Sequence, residues 1–356
     1  MVQPNSKNTP NTPQKAVLIN RNASFWVKTK TIAARAGFDG FLLALLCIII
    51  LAYAWPQLGA EESALPLAQI GTVGVSVIFF FYGLRLSPEK LKSGLTNWRL
   101  HLLVQCTTFL LFPLLLLGAR SLFANQEEEL LWLGICYVGA LPSTVSSSVV
   151  MVSIAGGNLP AAIFNASISS LLGVFLTPFW MSFLLESNST EFDFASVIGK
   201  LMIQVVAPVI VGILMHSRLG GFAERHKSRL KLFDQSIILL IVYTAFCDSF
   251  ARNLFAGYST LDIILLALAM SALFFLVLGL VQLIGKFLGL SQPDQITAMF
   301  CGSKKSMVHG TVMSKVLFPD TSVVGIILLP LMLYHALQLI YASAMAQSMA
   351  RKSLPQ

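Results

Sequence analysis

Ten apolar runs, most of about 20 residues, follow one another along this chain and constrain it more than any local motif. In lipid every backbone N–H and C=O must be satisfied within the protein, which leaves helices as the way to use such runs. Five fall in the first half: Phe38–Trp55, Leu67–Leu84, Trp98–Ala119, Leu130–Ala155 and Pro160–Leu185. Five follow in the second: Phe194–His216, Gln235–Phe250, Leu261–Leu288, Gln295–Phe318 and Val323–Ala346. The pattern predicts an all-α polytopic membrane protein of ten transmembrane helices.

The composition agrees. Only 11% of the residues are charged, against about 25% in a soluble protein, and mean hydropathy is +0.76. The formal net charge of +8 is concentrated in alternate loops. It therefore speaks about orientation in a membrane, and no nucleic-acid partner is expected. Arg21, Lys28, Lys30 and Arg35 precede the first run, and Arg85, Lys90, Lys92 and Arg99 lie between the second and third. Arg218, Arg225, Lys227, Arg229 and Lys231, then Lys286, then Arg351 and Lys352 fall on the same side. The opposite side collects Glu61, Glu62, Glu127, Glu128, Glu129, Glu186, Glu191 and Asp193. Both termini are predicted to be cytoplasmic, in a plasma membrane or a bacterial inner membrane. Residues 1–36 form a polar, then basic, leader without a cleavable signal pattern. Around Phe25, Trp26, Lys28 and Lys30 this leader fits either a short surface helix or a plain topology signal. Residues 37–186 and 194–348 make the two five-helix halves, and 349–356 a cytoplasmic tail. The five cysteines stand singly in apolar runs, which suggests neither disulfides nor a zinc site.

An odd number of spans per half requires that a repeated half lie upside down relative to its copy, the inverted-repeat plan of many secondary transporters. Polar interruptions fall at matching depths. The fourth run holds Pro142, Ser143, Thr144, Ser146, Ser147 and Ser148, and the ninth holds Cys301, Gly302, Ser303, Lys304, Lys305 and Ser306. Pro142 cannot donate to the helical ladder, and neighbouring hydroxyls can take up carbonyls that lose partners. Simple kinks, or serines used for close helix packing, fit each interruption taken alone. The lysines change the balance, because charge at that depth costs several kcal/mol and calls for a reason. Snorkelling is a poor reason: a lysine stem of about 6 Å falls short of an interface some 15 Å away.

Lys304 and Lys305 would point about 100° apart on a helix, so one can face a cavity while the other caps broken-helix carbonyls. His309 follows close by, positioned to exchange a proton with a lysine or to bond a carbonyl, and His335 sits in the tenth run with the same two roles open. On the fifth run Asn165 and Ser169 share a helical face near the first interruption, where they either line a polar pocket or join helices. Gln105 and Thr108 on the third run have the same two roles open. Phosphate loops, metalloprotease motifs, nucleophile elbows and intramembrane carboxylate pairs are missing, so no enzyme activity is expected.

Phe81-Tyr82-Gly83-Leu84-Arg85-Leu86 with Pro88-Glu89-Lys90-Leu91, then Gly157-Asn158 and Thr177-Pro178, resemble the bile acid:sodium symporter family over about residues 38–346. Phe300 through Ser306 resembles the branch of sodium-dependent transporter candidates whose animal relatives are associated with calcium regulation. The resemblance implies a panel of the first, second, sixth and seventh helices and a core of the other six, with broken fourth and ninth helices crossing in the core. It also implies sodium ligands on the fourth, fifth and ninth helices and an organic anion between core and panel. Residue by residue, Ser147 and Ser148 match the family's Ser-Asn pair, Ala162 and Ala166 fall where hydroxyl ligands stand, and Thr108 replaces a glutamine. Cys301 takes the place of the sodium-binding glutamate and Lys305 that of the glutamine. These departures weigh against sodium coupling; an ammonium tethered in the sodium position would neutralise the same oxygens.

The expectation is a secondary transporter of a small, anionic organic solute, set in membrane lipid and working by alternating access, with Na+ or H+ as coupling ion and no cofactor. The other reading is a membrane regulator of the same fold, for instance in calcium handling, with little flux. The oligomeric state is not legible.

Overall fold

The computed structural model describes residues 40–60, 62, 63, 65–85, 97–120, 129–186, 199, 202–318 and 320–352. The leader with Arg21, Phe25, Trp26, Lys28, Lys30 and Arg35 lies outside these residues, as do Leu86, Pro88, Glu89, Lys90, Leu91 and Lys92. So do Glu61, Glu127, Glu128, Glu191 and Asp193, and the side chains of Ser146, Glu186 and Lys352.

All regular structure among the described residues is helical. The helices are α1 Gly40–Ala54, α2 Leu67–Leu84, α3 Trp98–Ala119, α4 Glu129–Ala140, α5 Ser146–Ala155 and α6 Leu159–Glu186. There follow α7 Met202–Arg225, α8 Lys227–Ala251, α9 Thr260–Phe287, α10 Gln292–Gly302, α11 Met307–Leu317 and α12 Val324–Lys352. Seven of these (α2, α3, α6, α7, α8, α9 and α12) are long and apolar enough to cross a membrane, which makes this a multi-pass membrane protein. α4, α5, α10 and α11 have 12, 10, 11 and 11 residues, each too short to cross alone.

The chemistry of the helix ends is local. Ser259 and Asp262 form a reciprocal capping box at the start of α9, and the Ser291 hydroxyl accepts from the Asp294 N–H at the start of α10. α5 stops at Gly156, whose φ of 74° returns its N–H to the Val152 carbonyl in a left-handed cap that a side chain would strain. α3 and α7 each contain a π turn, Thr107–Leu111 and Met202–Val206, just ahead of Pro113 and Pro208.

Expected and observed limits coincide for α2 and α3. They differ at the sixth and seventh runs. Arg218 and Arg225 ride on α7, and Lys227, Arg229 and Lys231 on α8, with His226 alone between the helices. Arginine and lysine are good helix formers, so the backbone coils on beyond the apolar window where charge patterning suggested a loop.

α1, α2, α7 and α8 pack on one another, α2 with α7 most closely. Of the remaining helices, α12 packs on α4, α5, α9 and α11, α6 on α4, α5, α10 and α11, and α3 on α4, α6, α9 and α10, and α8 touches this second group through α11 and α12. Arg85 at the end of α2 pairs with Asp234 on α8 at 2.9 Å. The α2–α7 contact depends on absent side chains: a Cβ on Gly212 would run into the Phe80 carbonyl, and one on Gly83 into that of Val209. Gly212→Leu is expected to push the helices apart and cost about 1–3 kcal/mol. Gly221→Leu on the same helix, where a Cβ meets nothing within 4 Å, is the control. Equal thermal stability of the two variants would contradict this account.

The ends of three helices meet at Asp294, which is buried near the start of α10. Its carboxylate accepts from Asn97 Nδ2 and Asn158 Nδ2, both at 2.8 Å, and from Ser291 Oγ at 2.7 Å. Together these contacts fix α10 relative to the starts of α3 and α6.

Candidate functional site

Two non-helical segments meet in the interior: 141–145 between α4 and α5, and 303–306 between α10 and α11. The Ser306 N–H donates directly to the Pro142 carbonyl at 2.9 Å. Four helix termini converge there. α4 and α10 end with partial negative charge on their last carbonyls, while α5 and α11 begin with partial positive charge on their first N–H groups.

Each segment satisfies the other. Ser143 Oγ donates to the Cys301 carbonyl at 2.6 Å, and Ser148 Oγ to that of Phe300 at 3.0 Å, so hydroxyls of the first segment and α5 take up the end of α10. In return, Lys305 of the second segment takes up the end of α4. Its Nζ donates three bonds of 2.8 Å, to the carbonyls of Thr108, Gly139 and Leu141. The Phe112 ring centroid lies 4.0 Å from the same ammonium. Thr177 Oγ1 covers the intervening Ala140 carbonyl at 2.8 Å.

The Thr108 carbonyl is available for a reason visible in α3. In the π turn the Phe112 N–H bonds Thr107 O, and Pro113 has no N–H to offer. Lys305 takes the freed Thr108 oxygen, and Trp180 Nε1 takes that of Phe109 at 2.7 Å. The Thr108 hydroxyl bonds Val104 O in its own helix, so Thr108 contributes its main chain where a side-chain contribution was expected. Around Lys305 the backbone is also clamped: its N–H donates to Gln338 Oε1 and its C=O accepts from Gln338 Nε2, both at 2.8 Å. Gln338 Nε2 also donates to His335 Nδ1 at 3.0 Å, and Tyr334 OH holds the Ser303 carbonyl at 2.6 Å.

Lys304 is also fully buried but differently served. Among the described residues its ammonium makes one hydrogen bond, 3.3 Å to Ser147 Oγ. Ser147 Oγ passes its own proton to Thr144 Oγ1 at 2.8 Å, and Thr144 Oγ1 pairs with Ser148 Oγ at 2.7 Å. Two of its ammonium N–H groups have no hydrogen-bond partner among the described residues. The lysines therefore have separate surroundings, one saturated by carbonyls and one beside a chain of hydroxyls.

Pro142, Ser143, Thr144, Ser147, Ser148, Cys301, Ser303, Lys304, Lys305 and Ser306 thus come together. Ser169 joins them by accepting the Ser143 N–H at 2.9 Å. Ser146 opens α5, and Gly302 closes α10 against Val281 and Thr107. Cys301 turns its Sγ toward Ala162 O at 4.0 Å. Gln105 and Asn165 form a neighbouring pair, Gln105 Nε2 donating to Asn165 O and Oδ1 at 3.1 and 3.2 Å while Gln105 Oε1 has no partner among the described residues. Among the described residues the side-chain nitrogens of His309 bond neither a lysine nor a carbonyl. Its Nδ1 pairs with Ser306 Oγ at 3.0 Å, and its ring packs edge-on against Phe79 and Tyr82 of α2, because Ser306 as the α11 cap lies within its reach. Among the described residues no group of three or more His, Cys, Asp or Glu could hold a metal ion.

Sequence reasoning missed Gln338, Tyr334, Thr177 and Trp180. A glutamine inside the tenth apolar run was the available signal, since buried polar side chains in membranes rarely lack a partner.

The model of the SBF-like CPA transporter family matches residues 39–351. A Pseudomonas aeruginosa protein, PA2026, whose name assigns it no function, is 41% identical over 314 residues, covering 88% of this chain and 93% of its own. YfeH of Escherichia coli (strain K12), named as a symporter candidate, is 34% identical over 320 residues, covering 88% of this chain and 94% of its own. Sodium/bile acid cotransporter 7 of Mus musculus is 32% identical over 314 residues, covering 87% and 92%.

Proposed function

The chain belongs to the SBF-like CPA transporter family, whose named relatives are transporters and not enzymes, and from that membership we propose that it moves a small organic anion by alternating access, with the Lys305 ammonium standing where the family resemblance implies a sodium ion. One observation carries the reading: three 2.8 Å bonds from Lys305 Nζ to main-chain carbonyls, a cage suited to a monovalent cation and filled by a tethered one. Lys304, with donors to spare beside Ser147, is the contact for the solute's negative group. Its ammonium is also the group that gives up and regains a proton in the cycle, so that H+ is the coupling ion.

In this reading α4 with α5, and α10 with α11, are two interrupted spans, and the chain has ten spans in two inverted halves. The packing supports that arrangement by its symmetry. α1 lies on α8 as α7 lies on α2, and α12 contacts α4 and α5 as α6 contacts α10 and α11. α1, α2, α7 and α8 are then the panel against which the core moves, in a plasma membrane or bacterial inner membrane with both termini cytoplasmic.

Uptake into proteoliposomes tests the proposal, with bile acids, keto acids and sulfated metabolites as candidate solutes. Flux of at least one solute is expected to follow an imposed pH gradient and to persist when sodium is replaced by N-methylglucamine. A strict sodium requirement in the wild type would refute the tethered-cation reading. Solute binding without flux would favour the regulatory reading over transport.

A further inference from the structure

We propose that a groove on the outer face of α3 and α9 is a binding site for an anionic phospholipid. The groove has a volume of about 730 Å³ and is separate from the lysine site. Its walls include Leu102, Leu110, Leu114, Ile284 and Phe287, and its lining is almost wholly apolar. These helices cross the membrane, so hydrocarbon is what lies against them. From Trp98 to Leu114 the groove follows α3 for about 24 Å, past the middle of a hydrocarbon core about 30 Å thick. That is a bed for an acyl chain entering from the Trp98 end.

Charge at that end selects the headgroup. Arg99 lines the groove, exposed, with its guanidinium 5.7 Å from the Trp98 ring centroid, which holds the cation at the level where indole rings settle in a bilayer. Lys286 is exposed at the same end of α9, next to Phe287, which is 90% exposed. Neither cation has an acidic partner among the described residues. One cation lining an apolar groove and a second next in sequence to its lining residue Phe287, neither with an acidic partner among the described residues, fit a phosphodiester headgroup with net negative charge better than a zwitterion.

The groove also touches the transport machinery through its floor. Thr107 lines it, is 1% exposed, has a hydroxyl without a partner among the described residues, and packs beneath Gly302. The next residue, Thr108, supplies a carbonyl to Lys305. A lipid here therefore leans on the π turn that helps to cage the ammonium.

Native mass spectrometry of delipidated protein titrated with phosphatidylglycerol or phosphatidylcholine is the test. At about fivefold per cation, the wild type should prefer phosphatidylglycerol by about 25-fold. Arg99→Gln and Lys286→Gln should each lower the preference about fivefold, and together abolish it, at unchanged melting temperature. Leu110→Trp, which fills the groove, should reduce retention of both lipids. Equal retention of the two lipids by the wild type would overturn the site as ordinary annular contact. So would a preference that persists in the double variant, or a Leu110→Trp protein that holds lipid as before.

Discussion

Lys305→Met is expected to lose about 3 kcal/mol of stability, the largest structural effect of any substitution at the helix crossing. Methionine fills a similar volume but donates nothing to the carbonyls of Thr108, Gly139 and Leu141. A stranded buried polar group costs about 1–3 kcal/mol, and three are stranded at once. Relief of the ammonium's own desolvation offsets part of this sum. None of the three carbonyls has an easy substitute partner. The Thr108 oxygen lost its helical donor to Pro113 and the π turn, and the other two sit at and just past the end of α4. Thermal unfolding in detergent reads the loss, and a variant as stable as the wild type would show that water or relaxation satisfies the cage. A second measurement isolates the cation. In Lys305→Gln the carbonyls again attract a free ion, so sodium should raise the melting temperature relative to N-methylglucamine, whereas the wild type should not respond. At 100 times its Kd an ion adds about 2.7 kcal/mol.

Lys304→Met is expected to do the opposite: to leave the protein as stable as before and to stop transport. Its ammonium is fully buried for a single 3.3 Å bond to Ser147, so little pairing is lost and a desolvation penalty is removed. The solute, in contrast, loses a charge-assisted partner. Truncating one member of such a buried pair costs about 3 kcal/mol, or about 100-fold in uptake at subsaturating solute. Lys304→Arg should recover part of the flux, since charge is restored and geometry is not. Undiminished uptake by Lys304→Met would remove Lys304 from the solute pathway; a large fall in stability would mean that it holds the fold, as Lys305 does.

The contrast between the lysines was only half legible in advance. Two adjacent lysines in an apolar run flanked by Gly302 and Ser303 already signal that an ammonium must be satisfied at depth. A position about 100° from its neighbour says that the two will differ, without saying which is which. That assignment depends on α3 and α4, which are distant in sequence and bring their freed carbonyls to one side of the crossing. Thr108 was singled out for its hydroxyl, yet it acts through an oxygen every residue has, because main-chain roles leave no mark in residue type. Pro113 was the legible part, since a proline inside a helix always leaves carbonyls to be claimed. His309 was placed near the lysines and turned out to cap onto Ser306 while packing on α2, a choice made by helix packing.

Read by itself, the sequence determined that the chain lies in a membrane, where α2 and α3 begin and end, and where apolar helices are interrupted by polar residues. Those properties follow from hydrophobicity, length and missing N–H groups, which each segment carries alone. The tertiary structure alone decided which hydroxyl meets which carbonyl, that Lys305 is saturated while Lys304 keeps free donors, and that Gln338 clamps the backbone of Lys305. The pairings between the two interruptions, and those of Lys305 with α3 and α4, join residues more than a hundred positions apart, and hydrogen bonds depend on tenths of an ångström that no local pattern records.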